Sequence, residues 1–187
     1  MPQTLTKEDL IKQINEIYRK LANVFFQLSK SYIKKTFDIK PKVYTQENIF
    51  NYLKEQGVCE SISLSDLKYH LIDWETWKAI IVADWSEQRK YVVDVFDCDN
   101  FGFNFSARMA DFFELNSAGT AYGWVYDKNT GRTIGAHVFN VILAENNLGV
   151  RKIFIYEPIT DGYCEYVKGK RVEIGNWQYQ VNWVIFF

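Results

Sequence analysis

Apolar and polar positions change period along this chain, from helical near its start to strand-like toward its end. Leu10, Ile14, Ile17, Leu21, Val24 or Phe25, Leu28 and Tyr32 recur at helical spacing and predict one long helix. Thr6 can cap it, and Glu8 and Asp9 place two acids in the first turn, where they complement the helix dipole. A second, short helix is expected from near Thr45, with Ile49, Phe50 and Leu53 on one side and Gly57 as its stop. Neither segment carries a chemical motif. Residues 1–57 therefore read as a helical N-terminal extension, a support or adaptor for the domain at 58–187.

From about Lys78 the texture changes, and Ala79–Ala83 and Tyr91–Val95 predict short strands. Phe101, Phe105, Met109, Phe112 and Phe113 then return to helical spacing, so a helix begins directly after Cys98. Beyond it, Ala121–Tyr126, Ile134–Leu143 and Arg151–Tyr156 read as an antiparallel meander, and the tail adds two strand-like runs around Gly175 and Asn176. The expected class is α+β, with the Cys98 helix packed on an antiparallel sheet.

Composition narrows the function classes. The chain has 187 residues, 48% hydrophobic and 17% aromatic, enough for a packed core and far from a disordered composition. Its net charge of -1 gives no global attraction to nucleic acid. The charge is uneven: residues 1–43 hold nine Lys/Arg against four Asp/Glu, a surplus of five. That surplus is either a solvated helix face or the mark of a protein partner for the basic N-terminal helix. Three Cys and two His are too few for a Cys/His zinc cluster. The first residues lack an uninterrupted apolar run, so neither a signal peptide nor a membrane span is expected, and a cytoplasmic or other reducing compartment follows as the default. Phosphate-cradling, dinucleotide and serine-elbow motifs are absent from the sequence.

Cys98 sits where a nucleophile would be placed. At a helix N-terminus a thiol faces unpaired amides and the positive dipole end, both of which favour thiolate. The bland alternative is an inert buried cysteine. His137 and Glu157 bear on that choice through register. If the loop Glu145–Gly149 is symmetric about Asn147, His137 lies directly opposite Glu157 on the neighbouring strand, with Cβ atoms roughly 5 Å apart. The carboxylate would then fix and charge the imidazole that a Cys–His pair requires. A slip of one residue would put the two on opposite faces.

The run Tyr91–Gly102 around Asp97-Cys98-Asp99, followed by Gly135-Ala136-His137 and Tyr156-Glu157-Pro158, resembles the C-terminal domain of the Marasmius oreades agglutinin family. The resemblance covers roughly residues 78–165. It implies a papain-like, calcium-dependent cysteine protease, with Cys98 as nucleophile, His137 as general base and Glu157 as orienting carboxylate. A polypeptide is then the expected substrate. The family's sugar-binding β-trefoil has no counterpart in residues 1–57, so carbohydrate binding is not implied.

Asp97 and Asp99 flank the thiol, and Asp94 precedes them by one turn's spacing. Uncompensated anions there would raise the thiol pKa, and a hard divalent cation would cancel that penalty. An EF-hand reading fails, because Phe101 and Arg108 stand where ligands belong. The residues expected at calcium are Asp94, Asp97, Asp99 and Asn100, and the bland alternative is a helix cap. The leading reading is a thiol hydrolase cleaving amide bonds. A peptidoglycan amidase of the same fold and a non-catalytic interaction module are the alternatives.

Overall fold

The computed structural model describes residues 6–84 and 88–187, the side chains of Lys34 and Lys35 excepted. Residues 1–5, where the expected extension begins, lie outside the described residues. The chain divides into two compact units, Met1–Asp38 and Ile39–Phe187. The first is essentially one helix, α1 (Lys7–Phe37), opened by a capping box in which Thr6 and Asp9 bond each other's backbone.

The second unit starts with β1 (Lys42–Thr45) and α2 (Gln46–Gln56), which is capped by Thr45 and stopped by Gly57 at φ 63°. Ile49, Tyr52 and Leu53 of α2 are buried in the main core, so this helix belongs with the sheet. The division at Asp38 compares with an expected boundary at 57.

Two short strands follow, β2 (Ser61–Leu64) and β3 (Lys68–Leu71), and then α3 (Trp74–Ala83). The strand expected at Ala79–Ala83 is instead the end of α3. Asp73 caps the helix by accepting from the Thr76 amide, and Trp77, Ile80 and Ile81 fall on one buried helical side. A short apolar run carries no period of its own, and the cap decides it. Tyr91–Val95 is not a strand either. Asp94 adopts φ 60°, Val95 turns back onto Val92, and only an isolated Val92–Phe96 bridge forms.

The Cys98 helix is α4 (Cys98–Phe113), and it buries Phe101, Phe105, Met109 and Phe113. After it come β4 (Ala118–Asp127), β5 (Thr133–Glu145), β6 (Arg151–Glu157), β7 (Gly162–Glu165), β8 (Val172–Ile174) and β9 (Trp177–Phe186). The large sheet runs β2-β9-β4-β5-β6-β7, with β8 paired to β9. It is not a plain meander, since β9 inserts between β2 and β4 and runs parallel to β2. The helix lies close to the sheet because Gly102 has no side chain: a Cβ there would stand 2.8 Å from Val138 Cγ1. Buried Asn140 clamps the approach, donating to the Gly102 carbonyl at 2.9 Å and to Ser106 Oγ at 2.9 Å. A buried Arg108–Asp84 ion pair at 2.8 Å ties α4 to the end of α3.

Candidate functional site

The register differs from the expected one in an informative way. Strands β5 and β6 pair Glu145 with Arg151 and Asn140 with Tyr156, so the loop centres on Leu148 rather than Asn147. Gly149 at φ 80° closes that loop. Partner numbers shift by two, which preserves the face, and His137 and Glu157 become diagonal neighbours. Their side chains meet: His137 Nε2 lies 2.6 Å from Glu157 Oε2.

Glu157 is almost fully buried, at 1% exposure, and every oxygen is engaged. Oε2 also accepts from the Tyr179 hydroxyl at 3.0 Å, and Oε1 accepts from the Ile159 amide at 3.1 Å. A buried carboxylate fixed on three sides is a rigid base for the imidazole ring. Tyr179 is correspondingly pushed well above the ordinary tyrosine value by burial and by the adjacent Glu157.

The Cys98 thiol interacts with the His137 side chain and the Val138 backbone. Burial opposes a charged His137 ring, but the hydrogen bonds to Cys98 and Glu157 outweigh it and raise the ring to about 9. The His137 hydrogen bond holds the Cys98 thiol below its ordinary value, against the opposing effects of burial and of Asp97. The fold thus brings Cys98, His137 and Glu157 together, with the ring favoured in its charged form and the thiol lowered. A lowered thiol beside an imidazole is chemically suited to bond electrophilic carbon. By contrast, burial pushes the Cys59 thiol up to about 11.

The acids before the helix behave differently. Asp97 and Asp99 share a side-chain hydrogen bond that lowers Asp97 and raises Asp99. The Asp94 amide donates to Asp97 Oδ2 at 3.2 Å, and Asn100 Oδ1 accepts from the Asp97 amide at 3.2 Å. Among the described residues no group of three or more His, Cys, Asp or Glu is arranged to hold a metal ion. Asp97 and Asp99 could offer paired oxygens to a hard cation, whereas Asn100 spends its oxygen on the helix start.

Two features were not found from sequence. Gly123 faces His137 across β4 and β5, and a Cβ there would stand 1.9 Å from the Gln180 carbonyl oxygen. Trp177 and Tyr179 reach the site from β9, with ring centroids each 6.2 Å from His137. Both lie some forty residues beyond His137 in the chain, and only the insertion of β9 beside β4 delivers them. A cavity of about 350 Å³ is lined by Glu157, Thr160, Asn176, Trp177 and Tyr179. A larger one, about 590 Å³, lies between the Gly57–Glu60 and Lys170–Val172 segments and holds none of the three expected residues.

Residues 32–172 match the sequence profile described as "Ricin-type beta-trefoil lectin C-terminal domain". The chain belongs to this family. Two solved structures share its fold at 19% identity, each over 77% of this chain. One is described as a PSL1a–E64 complex, with a TM-score of 0.55. The other is the Polyporus squamosus lectin bound to the human-type influenza-binding epitope Neu5Aca2-6Galb1-4GlcNAc, with a TM-score of 0.54. The matched region is 51% of the first and 49% of the second, so the chain spans about half of each neighbour. No curated protein matches by sequence.

These matches support the agglutinin-type part of the resemblance and correct the rest. The expected papain-like class gives way to a sheet-rich lectin C-terminal domain. The expected assignments as hydrolase and thiol (cysteine) protease fall with it, since both family and neighbours are named as lectins. The physical reason is that Cys, His and Glu in that order specify three groups that can meet, not the bond they act on. Among the described residues no helix is long and apolar enough to cross a membrane.

Proposed function

We propose that this chain is a glycan-binding interaction module whose ligand sits in the cavity beside His137. Trp177 carries the reading: its ring is 41% exposed beside Asn176, Thr160 and the buried Glu157, an aromatic wall with convergent polar groups. The glycan named with the Polyporus squamosus lectin supplies the ligand class, and the interaction-module alternative accommodates it better than amide hydrolysis. Titration with that trisaccharide, followed by the backbone amide chemical shifts of Thr160, Asn176 and Tyr179, tests the proposal. Saturable shifts that Trp177→Ala abolishes are expected. Absence of binding, or equal binding by Trp177→Ala, overturns it.

A second observation supports a reactive thiol within the same module. His137 holds the Cys98 thiol below its ordinary value, and E64 is the compound named with the neighbour PSL1a. Treatment with iodoacetamide or E64 at pH 6, read by mass spectrometry, is expected to modify Cys98 first. Modification of Cys59 ahead of Cys98 refutes it. Calcium is proposed only at the Asp97–Asp99 pair, whose two carboxylates would hold it. Addition of calcium is expected to lower the pKa of Asp99, and an Asp99 titration identical with and without calcium removes the metal.

A further inference from the structure

Strand β9 lacks a neighbour for three residues along one of its edges. The other edge belongs to β4. On the open one, β8 pairs with β9 only as far as Tyr179, opposite Val172, and β2 takes over at Trp183, opposite Ser61. Among the described residues no strand pairs there with Gln180, Val181 and Asn182, and the cavity of about 590 Å³ opens at this gap. A break in a ladder leaves main-chain donors and acceptors for a partner to take. Both walls are fixed in place. The Lys170 amide turns back onto the Val167 carbonyl at 3.0 Å, with Gly169 at φ 76°, and leads the chain away from β9. The Tyr166 hydroxyl donates to the Gly57 carbonyl at 2.8 Å, and Lys168 Nζ donates to the Glu55 carbonyl at 2.7 Å. A site built this way needs little ordering when it is filled.

The floor is apolar, with Val58, Val172, Tyr179 and Val181 all buried, and charge is confined to the rim. Its sign differs between the two ends. Glu60, the one acid on the wall among the described residues, directly precedes β2 and so falls at the Asn182 end by register. Lys170 and Arg171 directly precede β8 and fall at the Gln180 end. Lys54 is already spent on the Glu60 carbonyl, at 2.8 Å, whereas Lys170 makes no ion pair among the described residues. We propose that the gap binds a free tripeptide as an added strand antiparallel to β9. Its ammonium lies toward Glu60 and its carboxylate toward Lys170 and Arg171. Three residues at about 3.3 Å each match the three unpaired positions. The middle residue stands opposite Val181, and opposed residues share a face, so its side chain enters the apolar floor. The outer two follow Gln180 and Asn182, which are exposed, and can be polar. Tyr179 is the one residue shared with the walls of the cavity beside His137, so the site is independent of the glycan reading.

Titration of the full chain with the peptide Gly-Leu-Gly, followed by backbone amide chemical shifts, tests the proposal. Saturable shifts are expected at Cys59, Val172 and Val181, with Thr160 and Asn176 of the other cavity unmoved. Acetylating the peptide, amidating it, or replacing its Leu by Asp should each weaken binding about tenfold or more. Glu60→Lys, and Lys170→Glu combined with Arg171→Glu, change exposed side chains and should leave the melting temperature unchanged. Each should nevertheless weaken the unmodified peptide about tenfold or more, and Glu60→Lys should bind the acetylated peptide no worse than wild type does. No saturable shift at the three positions, equal binding of the free and blocked peptides, or shifts centred on Thr160 and Asn176 would overturn it.

Discussion

Glu157 stands diagonal to His137 rather than opposite it, and the pair still closes to 2.6 Å. The position opposite Glu157 in the continued register belongs to Phe139, whose ring lies beside the His137 ring. Pairing between β5 and β6 ends at Asn140 and Tyr156, so His137 lies on a stretch of β5 bordered by β4 alone. That unpaired edge lets one imidazole meet Glu157 on one side and Cys98 on the other.

Glu157→Gln is expected to pull the His137 pKa down from about 9 toward its ordinary value, since a neutral amide orients the ring but does not favour its charge. The buried hydrogen bonds to Tyr179 and Ile159 can persist, so the stability loss should be about 1–3 kcal/mol. Histidine NMR titration separates His137 from His70, and an unmoved His137 titration would show that Glu157 does not charge the ring.

Gly123→Ala is expected to cost roughly 3 kcal/mol or more, because its Cβ would meet the Gln180 backbone, which cannot rotate away. Gly135→Ala, two strand positions from His137 with nothing within 4 Å of the added Cβ, should change stability by only a few tenths of a kcal/mol. Urea unfolding of both variants checks the contrast, and equal losses would locate the constraint elsewhere.

Much of the site was legible because its signals are local. Thr6, Thr45 and Gly57 mark helix ends through backbone chemistry, and the aromatic period after Cys98 fixes where α4 starts. The pairing of His137 with Glu157 survived a misplaced loop centre because a shift of two preserves the face. What escaped was non-local. Nothing in the Trp177–Phe186 run says that it will cross to the middle of the sheet and bring Tyr179 beneath Glu157. Ala79–Ala83 was misread because five small and branched apolar residues suit either element, and the deciding Asp73 cap lies six residues earlier. The meeting of His137 and Glu157 was readable, whereas the family they serve was only half so.

The last prediction concerns pH and stability, where two shifted groups work against each other. His137 has a folded value of about 9 against an ordinary 6.5. Its contribution is therefore fully present below 6.5 and is lost as pH rises through 9. Cys98 is displaced the other way, below its ordinary 9.0, by the same hydrogen bond. Its contribution is present above 9.0 and is lost as pH falls through the lowered folded value. Below 9 the slopes oppose: the raised ring loses its contribution as pH rises, while the lowered thiol gains its own. Wild-type stability should therefore fall less steeply with rising pH than that of a variant lacking the thiol. Cys98→Ser removes the rising slope and leaves His137 raised by Glu157 alone. That variant should lose about 1–2 kcal/mol between pH 6.5 and 9. Urea midpoints at intervals of half a pH unit measure both curves. Parallel curves for the two proteins would mean that thiol and ring titrate independently, and their coupling would have to be abandoned.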